Sequence, residues 1–306
     1  MSFEIKTLEV KSTDNIHTLH GKIYVPNGEI KALFHFVHGM TEHIDRYDHM
    51  FSFLAENGYV IFGYDHLGHG KTAENDDELG FFAHENGWKY LVNDVVTFTR
   101  AVKKLYPNLP TVLMGHSMGS FISRLTAENY ADEYQKFIFC GTAGPNPASK
   151  IGILLVNILK AFKGEKYISS FIQKMAFGGY NKGFEGLSEY DWLTNDREVI
   201  SKYEKDKYCT FRFTLSAMGD LMTLLTNANR KQWFINMPNE KPIYLIAGDK
   251  DPVGNYGKGV KTVYDKLEKA GKNVKLKLYE NCRHEIHNDL CKDEMFNDIL
   301  SFIGEC

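Results

Sequence analysis

The apolar residues of this chain fall into runs whose period changes along its length. Phe3–Lys11 and residues 21–25 read as two strands joined by a polar loop at 12–15, with a turn signal at Pro26-Asn27-Gly28. Ala32–Val37 and Tyr59–Tyr64 are continuous apolar runs, which suit strands covered on both faces. Between them Tyr47, Met50, Phe51 and Leu54 share one side of a helix over about residues 44–56, closed by Gly58. Trp88, Leu91, Val92, Val95, Val102 and Leu105 keep helical register across Gly87–Leu105, and Pro107 and Pro110 stop that helix. A strand at 111–114 then enters a tight turn, and Met118, Phe121, Ile122 and Leu125 repeat at i, i+3, i+4 and i+7 in the helix that follows. Strands at 137–140, 242–247 and 274–279, a helix at 260–270, and a last helix carrying Phe296, Ile299, Leu300 and Ile303 complete the pattern.

Strands alternating with crossovers long enough to hold a helix predict a parallel, doubly wound α/β sheet. The alternation breaks between about residues 144 and 241, where the pattern is helical: 150–162, 168–176, 198–203 and 210–227. The expected organisation is a core in two parts, 1–144 and 241–306, with a helical cap inserted at 145–240. Residues 151–162 are the longest apolar stretch, broken by Asn157 and Lys160 and too short for a bilayer, which needs about 20 residues. That helix is either a membrane-facing lid or packed on the core; packing is the expectation, since most short apolar helices are core.

Composition adds a few limits. The net charge of −3 gives no argument for nucleic acid. Residues 144–241, the cap with its flanking residues, carry 14 Lys/Arg against 10 Asp/Glu, a net of +4, which leaves −7 for the remainder. Solvated faces explain such a balance, and a basic cap beside an apolar helix also suits transient contact with anionic lipid. Five cysteines, without a Cys-x-x-Cys pair, fit a reducing cytoplasm. Met-Ser-Phe-Glu-Ile-Lys-Thr has neither the basic start nor the apolar run of a signal peptide.

The chemistry gathers around Gly115-His116-Ser117-Met118-Gly119, a Gly-x-Ser-x-Gly between a buried strand and an amphipathic helix. A serine hydroxyl is a weak nucleophile and must stand clear of the backbone within reach of a base; a strained strand-to-helix turn achieves that. The helix N-terminus aims N–H groups at developing negative charge. An orienting acid and a base are then sought at later strand ends, where the crevice of a parallel sheet lies. After 242–247 come Asp249 and Asp251; Asp251 has the Gly-x-x-Asp spacing and is fixed by Pro252, whereas Asp249 suits a loop-stabilising acceptor. After 274–279 come His284 and His287, either of which suits the base: His284 overhangs the sheet edge, and His287 is expected to open the last helix. The oxyanion donors are expected to be the backbone N–H groups of Met118 and of Met40, in His38-Gly39-Met40 after Ala32–Val37.

Six motifs occur in order: His38-Gly-Met-Thr-Glu42-His43, Arg46-Tyr47, Asp65-x-x-Gly68-x-Gly70, Gly115-His-Ser117-Met-Gly119, Gly248-x-x-Asp251 and Glu280-x-x-x-His284-x-x-His287. Together they resemble the monoacylglycerol lipase and lysophospholipase-like branch of the α/β-hydrolases. The resemblance covers both core parts and is weak over the cap. It implies a mostly parallel eight-stranded sheet and a cofactor-free serine ester hydrolase acting on a small, lipid-like ester of the monoacylglycerol or lysophospholipid type. It also implies a triad of Ser117, Asp251 and His284, with Glu42, Arg46 and His287 near the pocket for the alcohol part. A carboxylesterase for short-chain or aromatic acyl esters is the alternative. Met40 departs from the small residue of many relatives, which would narrow the acyl or alcohol site, and Thr72 stands where relatives usually have Ser.

Other motifs carry less. Gly68-His-Gly70-Lys71-Thr72 ends like a phosphate-binding loop, but Asp65 occupies the position of the required first glycine. His35/His38, His66/His69 and His284/His287 have His-x-x-His spacing without an indicated third ligand, so no metal site is expected from them. Cys282 reads as a buried structural cysteine.

Overall fold

The computed structural model describes residues 2–304. Eight strands form one sheet in the order β1-β2-β4-β3-β5-β6-β7-β8: β1 Phe3–Lys11, β2 Thr18–Pro26, β3 Ala32–Val37, β4 Tyr59–Tyr64, β5 Thr111–His116, β6 Lys136–Cys140, β7 Ile243–Gly248 and β8 Val274–Tyr279. β1 and β2 are antiparallel, as are β2 and β4; every other pairing is parallel. The apolar runs β3 to β7 are buried along their whole length. Their alternating side chains feed two cores: Leu33 and Val37 face one layer, Phe34 and Phe36 the other.

The helices sort onto these two faces. α1 (Asp48–Glu56) buries Met50, Phe51 and Leu54 in the core of Phe34 and Phe36. α2 (Gly87–Leu105) and α3 (Met118–Asn129) cover the opposite face through Leu91, Val95, Phe121 and Ile122. Between β6 and β7 lie α4 (Ala148–Lys163), α5 (Ser170–Phe177), α6 (Arg197–Lys205), α7 (Leu215–Ala228) and α8 (Lys231–Asn236). α9 (Lys258–Lys269) joins the face of α2 and α3, and α10 (Lys292–Gly304) that of α1.

Beyond shifted element ends, such as β2 starting at Thr18 and α7 at Leu215, four details differ from the sequence expectation. β5 runs on through Gly115 and His116, because Gly115 pairs with Val37 and His116 with Cys140. α8 was not expected; its apolar content is Trp233, Phe234 and Ile235, too short a stretch to show a period. His287 does not open the last helix but sits in a 3-10 turn at Ile286–Asn288, while α10 begins at Lys292. The Asp289 carboxylate holds that turn back, accepting from the N–H groups of Arg283 and Leu290.

The fourth concerns α4. Its packed face is narrow: Ser149, Gly152 and Val156 are buried, and a Cβ on Gly152 would lie 2.5 Å from Met222 Sδ of α7. Its other face is open, with Ile151, Leu154 and Ile158 47–62% exposed and Phe162 83% exposed. The packed-helix expectation therefore holds for one side only. α7 fills the space over α2 and α3 and leaves α4 as an outer layer.

Candidate active site

Ser117 stands between β5 and α3 with φ 54° and ψ −122°. A positive φ at a non-glycine residue costs about 1–3 kcal/mol and persists only where its surroundings enforce it. Here they do. Ser117 N–H donates to Cys140 O at 3.0 Å, pinning the turn to β6. A Cβ at position 119 would lie 2.1 Å from Val37 O, so only glycine lets α3 start so close beneath the end of β3.

Among the later loops the structure brings Asp251 and His284 together. Asp251 is fully buried and its Oδ1 accepts from Val253 N–H at 2.8 Å, which turns Oδ2 toward the imidazole. His284 Nδ1 stands 2.9 Å from that Oδ2. The separation suits a hydrogen bond, but the ring N–H axis is turned off the oxygen and the bond is not aligned; such contacts often tighten only when substrate binds. Asp249 lies apart, with its carboxylate 3.2 Å from Lys250 Nζ. The His284 ring lies 4.7 Å from that of His116, the residue before Ser117. A Cβ on Gly141 would come 3.1 Å from His284 Cε1, so the end of β6 leaves room for the ring.

The N–H groups facing this corner can be sorted by what they already bind. Gly39 donates to Glu42 Oε1, and Thr41 to His69 Nε2 at 3.3 Å. Between them, Met40 N–H meets no acceptor among the described residues. Ser117 N–H is taken by Cys140, whereas Met118 is the first residue of α3, where an N–H has no intrahelical acceptor. A Cβ on Gly39 would lie 3.0 Å from Ser117 Cβ, so the Met40 loop approaches the serine closely.

Beneath these elements lies a buried polar network. Arg46 donates to both oxygens of Glu285 at 2.8 Å and to Glu42 Oε2 at 2.8 Å. Glu42 also accepts from Tyr47 OH at 2.7 Å and lies 3.3 Å from His116 Nδ1. Burial opposes ionisation of Glu42, yet His116, Arg46 and Tyr47 hold its carboxyl down at about 2. Burial likewise opposes a charge on His116, but the bond to Glu42 carries its pKa above the ordinary imidazole value. Glu285, buried too, is kept below the usual range by Arg46. Two carboxylates thus face the Arg46 guanidinium and an imidazole biased toward its charged form, which is how buried charge is tolerated. His287 is packed in the same region, its ring stacked 4.6 Å from Tyr47 and edge-on 4.8 Å from His116. Burial, with the nearby His116, drives its pKa well below the ordinary value, and neither ring nitrogen has a protein partner.

Glu42, Arg46 and His287 therefore lie next to the chemistry, but the first two spend their polar atoms on each other and on Glu285, His116, Tyr47 and Gly39. Glu285 and Trp192 are not singled out by the sequence, and Tyr47 and His116 stand there in motifs without a site role. Two had an available signal: His116 is the variable residue before the elbow serine, and Glu285 follows His284. Trp192 had none. Its ring lies 5.2 Å from His284, and its carbonyl accepts from His284 N–H at 3.4 Å while Leu193 O accepts from Glu285 N–H at 2.7 Å. The segment between α5 and α6 thus rests on the histidine loop.

The paired histidines are otherwise engaged. His35 Nδ1 lies 2.8 Å from Thr99 Oγ1, His38 Nε2 accepts from His66 N–H at 3.0 Å, and His69 Nε2 accepts from Thr41 N–H. Burial pushes the pKa of His35 and His66 down to about 3 and that of His69 to about 4. Asp65 anchors its loop by accepting from Ile44 and Lys71 N–H groups at 2.8 Å.

Residues 28–291 match the Hydrolase_4 family, described as serine aminopeptidase, S33. The chain belongs to this family. It is 24% identical to the monoglyceride lipase of Rattus norvegicus over 287 residues, 92% of this chain and 84% of the relative. It is also 24% identical to the monoacylglycerol lipase of Mycolicibacterium smegmatis over 310 residues, 96% and 98% of the two chains. Among solved structures, a thermostable carboxyl esterase from Bacillus coagulans in complex with glycerol superposes with a TM-score of 0.93 at 30% identity, covering 98% of each chain. The family and these relatives make this chain an α/β-hydrolase of the esterase and lipase type, a serine ester hydrolase.

Proposed function

We propose that Ser117, His284 and Asp251 are the catalytic triad of a lipase for single-chain lipid esters of the monoacylglycerol or lysophospholipid type. The observation that carries the triad is the Asp251–His284 contact of 2.9 Å beside the strained Ser117 elbow. His284 Nε2 takes the Ser117 proton as Oγ bonds to the ester carbonyl carbon. Met40 and Met118 N–H groups hold the resulting oxyanion. The intermediate collapses, the ester C–O bond breaks, and His284 returns the proton to the leaving alcohol. Water, deprotonated by His284, then releases the acid and restores Ser117. Asp251 fixes the imidazole tautomer and stabilises its charged form. Glu42 acts at one remove, by occupying Gly39 N–H and so setting the Met40 turn.

The lipid reading is supported by the relatives' names and by the open face of the region between β6 and β7. On α4 and α5, Ile151, Leu154, Ile158, Phe162, Phe171 and Met175 are exposed, with Lys150, Lys163 and Lys174 exposed beside them. An apolar stripe edged by lysines suits transient docking on an anionic lipid surface. Among the described residues no helix is long and apolar enough to cross a membrane. We read residues 145–240 as a cap and the chain as cytoplasmic; its four described cysteines are free, and Cys306 lies outside the described residues.

A chain-length series of 1-monoacylglycerols, run beside short-chain esters with Ser117→Ala as control, tests the substrate. Activity rising toward medium or long chains is expected, because an apolar site rewards each buried methylene by up to about 0.8 kcal/mol. Activity on short esters alone would favour the second reading, a carboxylesterase, which the 30% identity to the Bacillus coagulans esterase supports.

A further inference from the structure

Among the described residues, one cluster of metal-ligating side chains lies outside the site just described. His43, which ends the motif that begins at His38, meets Asp206 and Cys209 from the segment after α6. One ligand atom from each falls within 4.8 Å of the other two. His43 Nε2 is 2.8 Å from Asp206 Oδ2, and the other Asp206 oxygen accepts from Tyr208 N–H at 2.8 Å, which fixes the carboxylate. The Cys209 side chain is buried, while those of His43 and Asp206 are 13% and 31% exposed, so the cluster opens to solvent on the carboxylate side.

We propose that His43, Asp206 and Cys209 form a three-residue site for a zinc-like divalent cation, which clasps the segment after α6 to the oxyanion loop. The donor set decides the metal class. Imidazole, carboxylate and thiol together suit zinc or cobalt(II); magnesium and calcium prefer oxygen alone. Bond lengths of about 2.0–2.3 Å in a tetrahedral site put ligand atoms about 3.4–3.8 Å apart. The widest pairs, up to 4.8 Å apart, reach that by closing about 1 Å and the 2.8 Å His43–Asp206 pair by opening about 0.6 Å, both within the range of side-chain rotation. On binding, Cys209 loses its thiol proton to solvent, the sulfur bonds to the cation, and water completes the coordination. Arg46, whose charge is felt at Cys209, is already neutralised by Glu285 and Glu42. The tie has a mechanical consequence. Residue 43 lies three positions from Met40, and the segment after α6 follows Tyr203, whose hydroxyl donates to Thr41 O at 2.9 Å. The cation would reinforce that contact. A spacing search does not find such a site, because His43 lies more than 160 residues from Asp206 and Cys209.

The test uses the full chain, reduced and stripped with chelator, titrated with cobalt(II) and then zinc. One equivalent of cobalt is expected to give a near-ultraviolet sulfur-to-cobalt charge-transfer band that zinc displaces, and zinc is expected to raise the melting temperature. Cys209→Ser should abolish the band. Asp206→Asn keeps an acceptor for Tyr208 N–H and so guards against a folding artefact. It should lower zinc affinity at least about 10- to 100-fold, since even outer partners of metal ligands command that much. No band with the reduced protein, a band that survives in Cys209→Ser, or zinc affinity unchanged in Asp206→Asn would each overturn the proposal. None of these readouts depends on ester hydrolysis.

Discussion

α3 and α4 are both apolar helices, and they meet opposite fates. In α3, Met118, Phe121, Ile122 and Leu125 are at most 4% exposed. In α4, residues just as apolar and just as regularly spaced face solvent, and only Ser149, Gly152 and Val156 are buried. The difference lies in what each helix has to cover. α3 begins beneath β3, with its first turn set by the elbow, so its apolar side has a sheet to lie on. α4 lies on α7, another helix, over a strip too narrow to take its whole apolar circumference. Periodicity therefore reports that a helix has an apolar face, and the layer beneath decides whether that face belongs to the fold or to a partner. An exposed patch of this kind marks an interaction site more often than an accident.

The contrast can be pressed experimentally. The largest effect is expected at the start of α3. Ser117→Ala should lower kcat by about 10⁴- to 10⁶-fold with the circular dichroism spectrum unchanged; near-normal esterase activity would sink the triad. Glu42→Gln comes next. If the Met40 loop holds the oxyanion as proposed, weakening the hold of Glu42 on Gly39 should cost about 10²- to 10³-fold in kcat, and leaving buried charges uncompensated about 3–5 kcal/mol in stability, read by urea unfolding. A third pair compares one residue type on the two helices. Phe121→Ala should destabilise by about 3–5 kcal/mol. Phe162→Ala should stay within about 0.5 kcal/mol yet weaken binding to anionic vesicles, and equal stability losses would erase the distinction between the helices.

The smallest effect is in pH dependence. Burial raises Asp94, held by Ser12 and Thr13, and Asp220, buried on α7, to about 6. The folded state binds these protons more tightly than the unfolded chain. Their contribution is therefore complete below about pH 3.8 and is lost as pH rises through 6. Glu42 runs the other way: its contribution is present above about 4.5 and lost as pH falls toward 2. Urea midpoints from pH 4 to 7 should decline across pH 4–6, and Asp220→Asn should flatten part of that decline.

Most of the sheet could be read from sequence because each strand is its own signal: β1, β3, β4 and β8 have the bounds their apolar runs suggest. Ser117, Asp251 and His284 stood out because each closes a strand and so sits where a parallel sheet opens its crevice. What stayed hidden depends on pairs formed late in the chain's path. Nothing near Arg46 announces Glu285, 239 positions away, and nothing near His284 announces Trp192. β5 seemed to end at Met114 because glycine reads as a breaker, whereas Gly115 pairs with Val37 as an ordinary ladder residue. The resemblance put Glu42 and Arg46 near the substrate's alcohol; the structure gives their polar atoms protein partners.

The Glu42–Arg46–Glu285–His116 network also bears on how the chain acquires activity. Its members come from three segments, and each adjoins a different part of the site: Met40, Ser117 or His284. Closing contacts across such long loops is slow compared with forming helices or neighbouring strands. The strands and helices can be in place while the two ends of the chain are still apart, and in that state the serine has no properly set partners. During refolding, ester hydrolysis should therefore return after the far-ultraviolet signal, making turnover a clock for the last docking event.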